Sequence, residues 1–312
     1  MKKMCMVLLF AATLTMSAFS AKRKESIGFS QCILDSPFYV ALMDAAKEAA
    51  VSHNIDFIYL DAQNNIQKQN NDILDLINRG VSALIINPVD PDGVKPALER
   101  ARRAGIPVIT VDRPVNDKVD CFIGRDNRTM GKLAGELAVN LLGGKGKAKG
   151  KILELQGDAG GSVMMARRDG FHTAVDKENI TVIQSPYCNY IRANAVKAAQ
   201  DIIQAHPDID LIYAHNDDMA LGGLQVFEQA KKKVYVVGVD GLMEAVKAII
   251  DGRYNGTAMN DPAVLGRKAV ETAIKLKNKE KVPEYIDGGT NLIDKSNAKT
   301  FYNEKNSFAV MK

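Results

Sequence analysis

Asp112-Arg113 follows the apolar run IPVITV, Arg167 lies in the segment after KILELQ, Asn216 follows DLIYAH and Asp240 follows VYVVG. Each polar position stands where a strand-like run gives way to a loop. In a doubly wound sheet the carboxyl ends of the strands open onto one crevice, so these positions describe a single polar pocket. Carboxylate, guanidinium and amide groups brought together hold a polyhydroxylated small molecule through several hydrogen bonds at once. The chain lacks the patterns of a reacting centre. Its four histidines, His53, His172, His206 and His215, form no HExxH, no Cys-x-x-Cys is present, and Ser162 in GGSVM lacks the second glycine of a nucleophile elbow. No Gly-x-Gly-x-x-Gly follows the first strand, so a binding protein without a cofactor or metal is expected rather than an enzyme.

Each of these residues also has a plainer reading. Asp112-Arg113 before Pro114 suits a surface ion pair closing a turn, Arg167-Arg168 suits solvated charge on a helix, and Asn216-Asp217 suits a helix N-cap. Phe38 and Tyr39 suit the core at a helix start. Their shared place at the same edge of their sheets favours the pocket.

The elements that must position them alternate almost without a break. A first series reads SIGFSQ (26–31), IDFIYLD (55–61), SALIIN (82–87), IPVITV (106–111) and VDCFIG (119–124); a second reads KILELQ (151–156), ITVIQS (180–185), DLIYAH (210–215), VYVVG (234–238) and GTAMN (256–260). Short apolar runs separated by helices mark strands buried on both faces of a parallel sheet. The chain is therefore α/β, with the pattern present twice, which implies two lobes. Pro91-Asp92 opens one helix, Asn127 caps the segment 128–142, and Asp261-Pro262 opens the segment up to Asn278. The stretch GGKGKAKGK (143–151) fails the phosphate-loop spacing and reads as a solvated loop. If segment 261–289 returns to the first sheet, the chain crosses between lobes three times, near 124–127, 258–262 and 287–291. Glycines 124, 256, 288 and 289 would give such a hinge compliant backbone.

Lys2, Lys3, the apolar run Met4–Leu14 and the small residues Ala18 and Ser20 form a secretory signal peptide by pattern, residues 1–20, which would carry the mature protein outside the inner membrane. The run is shorter than the roughly 20 residues of a spanning helix, and Cys5 sits inside it rather than after a cleavage box, which argues against lipidation. Without residues 1–20 the 41 basic and 37 acidic residues lose two lysines and no acid, leaving 39 and 37, a net charge of +2 that gives no footprint for nucleic acid. Cys32, Cys121 and Cys188 then remain, an odd set at wide spacing that reads as small buried hydrophobes.

The stretches SPFYVAL (36–42), LDAQNN (60–65), NPVDPDGV (87–94), AGIPVITVDR (104–113), RDN (125–127), ELQGDAGGS (154–162), AHPD (205–208), NDDMALGGL (216–224) and VVGVDG (236–241) follow one another in register with a known family. From SIGFSQ to about residue 290 the chain resembles the ribose-type periplasmic substrate-binding proteins that feed ABC importers. The resemblance implies a type I periplasmic binding protein fold: residues 26–126 plus 261–289 as the N-terminal lobe, 127–260 plus 290–312 as the C-terminal lobe and tail, and a three-crossing hinge. It implies a monomer that captures a sugar and hands it to an inner-membrane ABC permease, with a chemoreceptor able to read the same faces. A receptor that signals a bound sugar or autoinducer to a membrane sensor kinase without transport is the alternative, and neighbouring genes would separate the two. By the same resemblance Phe38 and Tyr39 stack on the sugar, Asp112 and Arg113 clamp adjacent hydroxyls, Arg167 and Tyr190 come from the second lobe, and Asn216 and Asp240 complete the hydrogen bonds. The chain departs from a ribose binder at Ser36, where an asparagine is expected, at Val239, where an aromatic is, at Asn260, where a glutamine is, and at Arg125, in place of a small residue. A pentose, hexose, sugar acid or polyol therefore stays open, and Arg125 favours an acidic ligand only if it points inward.

Overall fold

The computed structural model describes residues 25–311; the expected signal peptide, with Cys5, lies outside them. In chain order the first half runs β1 (Ser26–Gln31), α1 (Pro37–Ser52), β2 (Asp56–Asp61), α2 (Ile66–Asn78), β3 (Ala83–Ile86), α3 (Lys95–Arg103), β4 (Val108–Val111), β5 (Cys121–Gly124) and α4 (Asn127–Leu141). It continues with β6 (Lys149–Leu155), α5 (Ser162–Val175), β7 (Asn179–Gln184), α6 (Arg192–Ala205), β8 (Leu211–Ala214), α7 (Asp217–Gln229), β9 (Tyr235–Asp240) and α8 (Met243–Ile250). The last elements are β10 (Gly256–Met259), α9 (Pro262–Lys277), β11 (Tyr285–Asp287), β12 (Leu292–Asp294) and α10 (Ala298–Phe301).

Two six-stranded sheets result, in the orders β11-β5-β4-β3-β1-β2 and β12-β10-β9-β8-β6-β7. All pairs are parallel except β10 with β12. The central strands β3, β4, β8 and β10 are buried throughout, as their unbroken apolar runs require. The runs of β2 and β7 do not end up buried on both faces: these strands lie at the sheet edges and are half-exposed. The chain passes between the sheets three times, from β5 into α4, which packs on β9 and β10, from β10 into α9, which packs on α1, and from β11 into β12.

Helix starts differ from the sequence reading in two places. Asp126, not Asn127, caps α4: its carboxylate accepts from the backbone N–H groups of Arg128 and Thr129, and Asn127 is the first helical residue. The Pro91-Asp92 segment stays a turn because Asp90 Oδ1 accepts from the N–H groups of Asp92 and Gly93, and α3 starts only at Lys95. The loop 143–151 also ends early, since Lys149, Gly150 and Lys151 pair with Asn179, Ile180 and Thr181 in β6 and β7. Asp261 caps α9 as expected. Cys32, Cys121 and Cys188 are buried free thiols.

One hydrophobic cluster runs through both lobes, from Phe29 and Leu42 to Leu153, Met219 and Phe227. The described conformation is thus a closed one, with the sheets' carboxyl edges facing each other.

Candidate functional site

The N-terminal lobe brings Ser36, Phe38 and Tyr39 to the cleft at the start of α1, and Asp112 at the end of β4. The C-terminal lobe answers with Arg167 from α5, Tyr190 from the loop after β7, Asn216 at the cap of α7 and Asp240 at the end of β9; Asn260 comes from the hinge. Nine of the ten residues expected from the sequence line one cavity, with Val163 as an unforeseen apolar member. The free space left between these side chains is about 20 Å³, so in this closed conformation they stand close together.

Arg113 is the exception. Its guanidinium donates to the Tyr39 hydroxyl at 2.7 Å, stacks 5.6 Å from that ring's centroid, and faces Asp158 of the other lobe at 3.8 Å. The reason is local: Asp112 adopts φ 65°, so the two adjacent side chains leave the strand end in different directions. Arg113 therefore fixes Tyr39 and ties the lobes beside the cavity.

Arg167 is buried and forms an ion pair with Asp240 at 3.3 Å. Its Nε donates to Asn127 Oδ1 at 2.9 Å and its Nη1 to the His215 carbonyl, so three elements hold one guanidinium. Behind it His215 Nδ1 accepts from the Gly157 N–H, and its Nε2 faces buried Glu154 at 2.8 Å. Burial opposes ionisation of Glu154, but hydrogen bonds from His172 and His215 outweigh it and hold the carboxyl at about 2. Asn216 splits its amide: Oδ1 caps α7 by accepting from the Met219 N–H, and Nδ2 donates to the Tyr190 carbonyl. Both the cap reading and the pocket reading hold for it.

Burial raises the carboxyl of Asp112, against the pull of Arg113 and Arg167. Burial likewise lifts Asp240 to about 6, with Arg167 and the Asn260 amide opposing it. Two acids desolvated in one cavity can accept further hydrogen bonds from the hydroxyl groups of a ligand. Asn87, fully buried at the end of β3, joins them: no partner meets hydrogen-bond geometry at its amide, yet it lies near enough to Asp112 to favour the charged form.

The backbone is strained where the site is built. Asp112, Tyr190 and Asp240 hold φ of 65°, 62° and 121°, each at a cost on the order of 1–3 kcal/mol. Asp217 offsets this beside Asp240 by accepting from the N–H groups of Gly241 and Leu242 and from Tyr254 Oη at 2.7 Å.

Arg125 does not point at the ligand space. Its Nε donates to the Gly289 carbonyl at 2.6 Å, Nη1 to Asn260 Oδ1 at 2.5 Å, and Nη2 to the Asp261 carbonyl at 2.8 Å. One side chain on the first crossing therefore grips the other two. Gly288 packs against it: a Cβ there would stand 2.8 Å from the guanidinium carbon and push Arg125 off its partners, and Gly289 turns at φ 74°. At Gly288 the glycine serves close packing rather than compliance.

Residues 27–281 match the model of the periplasmic binding protein domain. The chain belongs to the periplasmic binding protein family. The ribose import binding protein of Escherichia coli K12 is 38% identical over 285 residues, 90% of this chain and 95% of that one. A solved ABC transporter solute binding protein from Mycobacterium smegmatis, with bound glycerol, is 54% identical and superposes with a TM-score of 0.88 over 92% of this chain and 100% of that one. A periplasmic solute binding protein of Actinobacillus succinogenes 130z, with bound D-allose, gives 26% identity and a TM-score of 0.83 over 89% of this chain and 100% of that one. This periplasmic binding protein thus has the two α/β lobes and the three-crossing hinge of the type I fold.

Proposed function

We propose that this chain is an exported solute-binding protein that captures a monosaccharide, pentose or hexose, or a related polyol between its lobes and presents it to an inner-membrane ABC permease. The observation that carries this is the composition of the cleft: two carboxylates, a guanidinium, two amides and three aromatic rings, drawn from both lobes and the hinge around one small cavity. A sugar offers a hydroxyl rim to the polar set and an apolar C–H face to Phe38, Tyr39 and Tyr190. The relatives' names support the same reading, with ribose, glycerol and D-allose as their ligands. Export rests on the signal-peptide pattern of residues 1–20 and on the family.

Function follows from closure. The ligand touches both lobes, so it binds the closed state better and shifts the open–closed equilibrium by that difference. The permease then reads the faces beside the closed cleft.

Thermal-shift screening of residues 21–312 against pentoses, hexoses, sugar acids, inositols and polyols tests this. A ligand at a hundred times its Kd stabilises the native state by roughly 2.7 kcal/mol, a shift that is easy to see. No shift from any of these compounds at millimolar concentration would contradict the proposal.

A further inference from the structure

The tail after α10 returns to the cleft. Residues 307–309 pair with the loop that follows Asp240: the Met243 N–H donates to the Ser307 carbonyl and the Ala309 N–H to the Gly241 carbonyl, both at 2.8 Å, around an antiparallel bridge between Leu242 and Phe308. The tail ends on the hinge, where the Met311 N–H donates to Asp261 Oδ2 at 3.3 Å and Asn291 Nδ2 contacts Met311 Sδ. Between these anchors Phe308 is 6% exposed and meets Phe38 of the other lobe edge-on, ring centroids 6.0 Å apart at 90°. Val239 has no share in this wall, because it packs beneath α4 with Tyr213 and Val237.

Phe308 lines a small side pocket that shares Ser36, Phe38, Asn216 and Asp240 with the main cavity. Its remaining walls are Pro37 and Leu242 on the apolar side and Asp218 on the polar side. The short Ser36 side chain lines both spaces. A sugar ring seated in the main cavity would direct a substituent past Ser36, and the pocket offers both apolar surface for one carbon and acceptors for one hydroxyl.

We infer that the C-terminal tail is a third component of the ligand site, with Phe308 as the wall of a subsite for the exocyclic hydroxymethyl group of a six-carbon sugar. This rests on the assignment of the cleft as a sugar site. Burying one methylene and satisfying one hydroxyl makes the six-carbon ligand bind roughly tenfold tighter than its five-carbon counterpart.

Matched pyranose pairs that differ only by this group are the probes: D-ribose with D-allose, L-arabinose with D-galactose, and D-xylose with D-glucose. Calorimetry on the wild type and on Phe308→Ala reads the ratio of Kd values within the pair that binds. The expected result is a preference of about tenfold for the six-carbon member in the wild type, reduced to about one in Phe308→Ala. Phe308→Leu keeps the tail's apolar seat and supplies the same ratio should the alanine variant not fold; there the preference falls part of the way. No preference in the wild type, or a preference that survives both substitutions, overturns the subsite. Asp112→Ala separates the two levels: if it binds as the wild type does, or if no aldose binds the wild type, the cleft assignment itself fails and the subsite with it.

Discussion

Asp112 and Asp240 enter the cleft from opposite lobes, and burial raises both carboxyls. A hydroxyl donating to Asp240 favours its charged form, so ligand uptake must expel the proton that this group holds below about pH 6. Affinity is therefore flat above pH 7 and weakens as pH falls through 6, with fractional proton release seen as a buffer-dependent heat in calorimetry; an affinity constant from pH 5 to 8 would contradict this. The stability sign is the opposite. Asp240's folded value lies above the ordinary value of about 3.9, so the folded state holds the proton more tightly, and Asp240 destabilises the ligand-free protein progressively as pH rises from about 4 to about 6. Burial raises Asp112 in the same direction, so Asp112→Asn should raise the melting temperature of the ligand-free protein at pH 7 while sugar affinity falls by about a hundredfold. A lower melting temperature with affinity kept would show that Asp112 is a structural residue.

At the scale of elements, the position of Arg167 depends on how closely α4 and α5 approach. A Cβ on Gly131 would strike the Arg167 carbonyl, and one on Gly170 the Arg128 carbonyl. The helices touch backbone to backbone there. Gly170→Ala should cost about 2 kcal/mol or more in denaturant unfolding and displace Arg167, weakening sugar binding as well; unchanged unfolding would mean that the crossing relaxes freely. Arg125→Ala, which strands Asn260 Oδ1 and the carbonyls of Asp261 and Gly289, should cost about 2 kcal/mol in the same assay. The alternation of strands and helices was legible because a parallel strand buried on both faces leaves an unbroken apolar run, as in ALII and VITV. The helix crossing was not, because Gly131 and Gly170 look like ordinary small residues until the neighbouring backbone is known. Arg113 was legible by resemblance as a hydroxyl clamp and Arg125 as a departure, but the partners of their guanidinium groups, Tyr39 and Asp158 for one and the hinge carbonyls for the other, were not. Phe308 left one trace, the apolar FAVM in an otherwise polar terminus.

At the scale of the whole molecule, each lobe is one sheet covered by helices, and the closed form is held by a shared apolar cluster together with specific contacts: Arg113 with Asp158, Phe38 with Phe308, and the Arg125 grip at the hinge. Such a molecule opens by turning at three short crossings while its cores stay intact. Small-angle scattering should therefore show a larger radius of gyration without ligand than with it, and equal values in both states would contradict a closing cleft. The most direct test is a calorimetric titration of residues 21–312 with the sugar that gives the largest thermal shift, run beside Asp112→Ala. One saturable site per chain in the wild type and a flat trace in the variant is the predicted result; equal binding by both proteins, or none by the wild type, would contradict sugar capture in this cleft.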